Sequence, residues 1–369
     1  MQIFKYILLT LVLLSLPTFG LYAFGPGVGS ALVLLMFIGI LGYFFLNKKE
    51  KFVFPFLVLG LSYYLISGVN FSGFLEDYIN DIIKYLIFII LTGYLIKQTK
   101  QIEVCIILLI GALSILVNVI QFPNSYGRYS GLYLNPNTAG VVCLLGFAYS
   151  YSIKSLKYRL LLQFLFTIAG IMTFSRSFIL VLILVNLVSM ISNKKNIIGL
   201  LIGAVALVII LGTTTLQLNS KRFSALKSIF SDDVDREAIS ENPRNETWAL
   251  YTDVVLDKPI YGHGYKSMQG KETDTVGIKA GVHNTYLMVL GESGLIPFLL
   301  LTYIYVFIFI KSLKHFSAHP EYNYLSIILI TYLLVSHNFF DNYLILFISI
   351  WLYIKVKESP EIINPITKS

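Results

Sequence analysis

Twelve apolar runs divide most of the chain, at about residues 6–24, 28–46, 52–67, 82–96, 102–121, 137–153, 158–174, 178–192, 197–216, 294–310, 323–337 and 343–354. A helix that crosses a bilayer needs about 20 apolar residues, and a lipid-exposed backbone has to satisfy its own hydrogen bonds. The pattern therefore predicts an all-α polytopic membrane protein with about twelve transmembrane helices. Nine lie within residues 1–216 and three within 283–357. One long polar segment, 217–282, separates the two sets and carries nine basic and ten acidic residues. Inside it, Trp248, Leu250, Tyr251, Val254 and Val255 have helical spacing, which predicts a helix over 247–256 ended by Asp257-Lys258-Pro259. Gly262-His263-Gly264 predicts a tight, flexible turn, and Asn284–Leu290, too short to span, predicts a re-entrant half-helix leading into the tenth span. Residues 358–369 read as a short disordered cytoplasmic tail.

Composition narrows the class further. Hydrophobic residues make up 56% of the chain and charged residues 13%, and the mean hydropathy is +0.75, which excludes an ordinary soluble domain. The net charge of +8 is read as orientation rather than nucleic-acid binding, because basic residues gather in one set of loops. Lys5, Lys48, Lys49, Lys51, Lys97, Lys100, Lys154, Lys157, Arg159, Lys194, Lys195, Lys311, Lys314, Lys355, Lys357 and Lys368 fall on that side. The opposite short loops hold only Arg128 and Arg176, with Lys84 at the outer end of the fourth span. The positive-inside rule then predicts both termini in the cytoplasm and the 217–282 loop outside. Lys5 precedes an apolar run without a small-x-small cleavage site, so a retained first span is expected. Cys105 and Cys143 lie in apolar runs and form no disulfide framework or metal motif.

The unusual polar residues share the outer face: Arg128, Asn135, Asn137, Arg176, Arg244, His283, Glu292 and Asp341. Ionisable groups at membrane depth are costly and point to function. Arg176 interrupts apolar sequence with almost no loop around it; its alternative role is a snorkelling interfacial arginine. Asn135-Pro136-Asn137 suits sugar hydroxyls or, equally, the cap of a helix. Arginines converging outside the membrane suit a phosphate, which guanidinium binds with two parallel hydrogen bonds. His283 has the chemistry of a general base, or it caps the half-helix; Glu292 tunes its neighbours or ends that helix. His263 reads as a loop residue. His315 and His319 have i, i+4 spacing but were expected to lack acidic partners, so no metal site is predicted. Gly291-Glu292-Ser293-Gly294 lacks the spacing of a nucleophile elbow.

In these residues the chain resembles the bacterial O-antigen ligases and O-antigen polymerases. The matching motifs are Arg128-Tyr-Ser-Gly131 with Asn135-Pro-Asn137, Ser175-Arg176 with Leu180, Arg244-Asn-Glu-Thr-Trp248 and Pro259-Ile-Tyr-Gly262-His-Gly264. His283-Asn284 follows, with Gly294 ten residues after Asn284 and Leu295-Ile296-Pro297 opening the next span; Pro297 stands where members often have glycine. The resemblance implies a metal-independent, inverting glycosyltransferase of the membrane GT-C type with no cofactor. Its donor would be a polyprenyl-diphosphate-linked glycan, and its acceptor another glycan or a lipid A core. Arg176 and Arg244 would hold the diphosphate with help from Arg128, and His283 would take the acceptor proton. Asn135, Asn137, Asn284 and Glu292 would bind or shape the substrate site. A polymerase of repeat units for O-antigen, capsule or exopolysaccharide is the favoured reading, with a chain-length regulator as a further partner. The alternatives are the ligase and, from another class, a twelve-span transporter or lipid-glycan flippase. Transporters of that kind are commonly built from repeated halves, and the chain shows none.

Overall fold

A computed structural model describes residues 1–47, 52–71, 73–122, 128–199, 243–270 and 281–359, together with 50, 201, 203, 205 and 278; of 243–247 it describes the backbone alone. All regular structure among the described residues is helical. In chain order the helices are α1 (Gln2–Leu13), α2 (Leu16–Phe24), α3 (Pro26–Leu46), α4 (Phe54–Val69), α5 (Leu75–Leu91), α6 (Gly93–Gln98), α7 (Gln101–Gln121), α8 (Pro136–Ser150), α9 (Leu156–Met172), α10 (Arg176–Ser192), α11 (Pro243–Asp257), α12 (Thr285–Ser293), α13 (Leu295–Lys314), α14 (Pro320–Leu333) and α15 (Tyr343–Glu358). Every predicted apolar run except the ninth is occupied by one of them. Of that run only 197–199, 201, 203 and 205 are described. Residues 206–242, 271–277, 279–280 and 360–369, which include most of the predicted polar loop before α11 and the predicted tail, lie outside the described residues.

By length and composition α3, α7 and α13 can cross a membrane, as can α1 and α2 taken together, while α4 and α10 are shorter apolar helices. The predicted first span is therefore not a straight rod. It breaks at Ser15, a left-handed residue (φ 51°), and bends by 65° before Pro17 opens α2. Proline stands in the first turn of α2, α3, α4, α8 and α14, where a missing N–H costs no helical hydrogen bond. The predicted outer loop 68–81 is shorter than expected, since α5 begins at Leu75 and takes Glu76, Asp77 and Asp81 into its first turns.

Two helices form the centre. In α8 every residue from Ala139 to Ser150 is buried, and in α15 every residue from Leu344 to Tyr353. Around α8 pack α7, α9, α10 and α14; around α15 pack α1, α6, α13 and α14. The outward faces stay greasy, with Leu34, Ile106, Leu180, Ile191 and Tyr303 all more than half exposed. An apolar belt of that kind would be an association hazard in water and is at home in lipid. At the end predicted to be cytoplasmic, Lys5 of α1 meets Glu103 of α7 at 2.6 Å in a buried pair that Tyr6 also joins. His319 there has an acidic partner after all, Glu321, at 3.2 Å; the sequence reading missed it because it considered the histidines alone.

Candidate active site

Three short breaks between helices meet at the end of the bundle predicted to face outward. The first precedes α8. Tyr129 N–H donates to Met172 O at 3.2 Å, laying Arg128 beside the end of α9. Gly131 lies against α7, where a Cβ would come within 2.4 Å of Ser114 Oγ. Asn135 caps α8 by accepting the Asn137 N–H at 2.8 Å, so its cap role is realised. Asn137 Oδ1 accepts from Arg128 Nη2 at 3.2 Å and from Ser175 Oγ at 3.1 Å. The second break is the α9–α10 corner, turned by Phe174 at φ 48°, after which exposed Arg176 is the first residue of α10. Arg128, Asn137, Ser175 and Arg176 are thus brought together by two corners 38 residues apart.

The third break is the start of α12. His283 is exposed and left-handed (φ 47°), and Asn284 follows it, buried, accepting the N–H groups of Tyr286 and Leu287 at 3.0 and 3.2 Å. Asn284 therefore takes the capping role that the sequence left open for His283. Thr285 Oγ1 donates to Ser336 O at 2.7 Å, fastening this start to the α14–α15 loop, 334–342. In that loop Ser336 Oγ donates to Asn338 Oδ1, and Asn342 Nδ2 donates to Tyr332 Oη at 3.1 Å. Tyr332 in turn donates to Asn338 Oδ1 at 3.5 Å, and it lies near Thr138 of α8. The start of α12 is thus tied through Ser336, Asn338 and Asn342 to Tyr332, on the side of α8 that also carries the Arg128–Asn137 pair.

Glu292 sits elsewhere. It is wholly buried, and its carboxylate accepts from Tyr63 Oη, from Met268 N–H at 3.2 Å and from Gln269 Nε2 at 3.2 Å. Burial raises this carboxyl to about 7, against the pull of those donors. Grouped with the substrate ligands by sequence, Glu292 is instead an internal anchor for residues 266–269. Gly262-His263-Gly264 forms the expected tight turn, but one pinned to α12: His263 N–H donates to Gly291 O at 2.7 Å and Gly264 N–H to Glu292 O at 3.0 Å. The His263 ring bonds Val254 O at 2.6 Å, a structural duty, as expected for a loop residue. The predicted helix over 247–256 is α11, with Tyr251 and Val255 buried and Leu250 and Leu256 exposed. Arg244 lies in its first turn, where only the backbone is described.

Sequence reasoning missed His337. Its ring centroid lies 4.6 Å from that of His283. The signal was present, because His337-Asn338 repeats the dipeptide His283-Asn284. Among the described residues no group of three or more His, Cys, Asp or Glu side chains could hold a metal ion.

Beside the α14–α15 loop lies a groove of about 810 Å³. Its apolar walls come from the bent α1–α2 pair and α3, including Leu11, Leu21, Val33 and Phe37. Its polar lining includes Asn135, Thr138, Asn338, Asp341 and Asn342. Four of the left-handed non-glycine residues, Ser15, Leu134, Phe174 and His283, line this groove or build these corners. Backbone strain costs about 1–3 kcal/mol per residue and gathers where geometry serves function.

No curated protein matches the chain. Residues 161–302 do match the family model described as O-antigen ligase. The match runs from α9 into α13, so it takes in Arg176, Arg244, His283, Asn284 and Glu292, while Arg128, Asn135 and Asn137 precede it. Over residues 161–302, which include the α9–α10 corner and the start of α12, the chain is thus similar to the O-antigen ligase family.

Proposed function

We propose that this chain is an extracytoplasmic-facing membrane glycosyltransferase that polymerises polyprenyl-diphosphate-linked oligosaccharide repeat units. The family match supports glycosyl transfer among lipid-linked glycans in general. The observation that carries the finer reading is the presence at one end of the bundle of two polar corners, Arg128 bonded to Asn137 and Thr285 fastened to Ser336 next to His283, beside an apolar groove with amide-lined walls. An amphipathic substrate with a long hydrocarbon chain, an anionic head and a sugar suits that combination. Arginine is the side chain suited to a diphosphate, and each charge-assisted hydrogen bond contributes about 1.5–3 kcal/mol.

In the proposed reaction His283 takes the proton of an acceptor hydroxyl as its oxygen attacks the anomeric carbon. The bond from that carbon to the diphosphate breaks, and the electron pair leaves with the polyprenyl diphosphate. Attack from the opposite face inverts the anomeric centre. Arg176, Arg244 and Arg128 offset the charge that grows on the leaving group, so no metal is required. The ligase is the second reading, favoured by the description of the matched family, and differs only in acceptor.

Purified protein in lipid nanodiscs, given a polyprenyl-diphosphate-linked repeat unit alone, is expected to release polyprenyl diphosphate and build a ladder of lipid-linked glycans in the presence of EDTA. Release that appears only after lipid A core is added would replace the polymerase with the ligase. Absence of release with either acceptor would sink both.

A further inference from the structure

The acceptor-activating histidine has an unassigned neighbour. His337 lies in the 334–342 loop, 54 residues beyond His283, and the two rings meet at 4.6 Å with their planes tilted by 59°. The loop is clamped on both sides of His337. Before it, Ser336 O accepts from Thr285 Oγ1 at 2.7 Å. After it, Asn338 is bonded by Ser336, and the buried Phe340 ring stacks on Tyr63 at 3.8 Å. Gly281 leaves room beneath: a Cβ there would come within 3.1 Å of His337 Cε1. Nδ1 of His337 is buried without a hydrogen-bond partner among the described residues, so its orientation is set by packing. Burial first, and the charge of His283 second, lower its pKa to about 4, which keeps the ring neutral at working pH.

His283 is in the opposite situation. Its side chain is exposed and starts from a left-handed backbone, while Asn284 has taken over the helix cap. A general base acts only when its nitrogen points at the proton, so the groups that touch its ring decide where that nitrogen lies. We propose that His337 is a positioning residue for His283, a fixed neutral ring that holds the base toward the acceptor through direct ring contact. The inference rests on the reading of His283 as the base. A neutral neighbour has a second merit. When His283 takes a proton it becomes a cation, and an adjacent ring that stays uncharged does not repel it.

The test uses the full chain in nanodiscs and follows release of polyprenyl diphosphate from the lipid-linked repeat unit, with a lipid-linked acceptor supplied. His337→Ala is expected to lower kcat by about 10–100-fold, the range a misplaced catalytic group produces, with KM for the donor changed less than about twofold. His337→Phe keeps the ring and is expected to recover most of kcat, whereas His337→Gln, which keeps hydrogen-bonding atoms but no ring, is not. Wild-type kcat in His337→Ala, beside an inactive His283→Ala, overturns the positioning role alone. Recovery by Gln and not by Phe overturns ring contact as the cause. Full activity of His283→Ala overturns the base and the positioning role together. Where His337→Ala does not fold, as judged by its melting temperature and gel-filtration profile, the comparison of Phe with Gln carries the test.

Discussion

Glu292 and His283 show how environment, more than residue type, assigns the roles. The two lie nine positions apart, on one short helix and at its cap, yet one is sealed inside and the other faces out. The cost of sealing a carboxylate falls on its ionised form, so Glu292 holds its proton up to about 7. Its ordinary value is 4.5, and the folded state therefore binds the proton more tightly than the unfolded chain. Stability contributed by the protonated form is full below the unfolded value and is lost as pH rises through the folded one. The melting temperature of the purified protein is thus expected to fall between about pH 4.5 and pH 7. Glu292→Gln should flatten that slope and lower the acidic plateau, because one of the donors from Tyr63, Met268 and Gln269 loses its acceptor, at about 1–3 kcal/mol. A variant whose curve keeps the wild-type slope would show that Glu292 does not titrate in this range.

The α12–α13 corner is the element on which the site depends. Asn284 starts α12, and Gly294 ends it at φ 78° and starts α13. Ile260 O comes so close that a Cβ on Gly294 would lie 1.9 Å from it. The positive φ and this contact both demand glycine, and together they fix α12 against residues 258–264. Gly294→Ala is expected to cost well above the roughly 1 kcal/mol typical of a tolerated glycine replacement, seen as a lower melting temperature and lost yield. Gly27→Ala is the control, since its Cβ would meet nothing within 4 Å and its φ is unremarkable. Equal behaviour of the two variants would mean that the corner opens without penalty. The half-helix itself was legible in the sequence as an apolar stretch too short to span. Its true end, three residues beyond Gly291, was not, because only the approach of Ile260 decides which glycine turns the chain.

For the molecule as a whole, the loop charges predict an orientation that labelling can test. Lys195 is exposed at the far end of α10, and Lys258 is exposed just after α11. Cys105 and Cys143 are free and buried, so they should label slowly. A cysteine placed at Lys258 is expected to react with a membrane-impermeant maleimide in cells with a permeabilised outer envelope, and one at Lys195 only after lysis. The reverse pattern would invert the protein and put Arg128 and His283 in the cytoplasm.

Hydropathy determined the helical class and the approximate place of most described helices, and loop charge supplied an expected orientation. It could do so because lipid forces a backbone to bond within itself, and because charge in loops is read directly from the residues. Partnership was a different matter. Asn135 was legible only as either a sugar ligand or a cap, and the 2.8 Å bond from Asn137 N–H establishes the cap. Nothing local in the sequence joins Tyr63 to Glu292, 229 residues away, or Lys5 to Glu103, 98 away. Periodicity tells which face of a helix is buried, not which helix covers it, so these pairs exist only once α4 has packed on α12 and α1 on α7. The same packing moved Glu292 from the substrate to the interior, bent the first span at Ser15 and set His337 against His283.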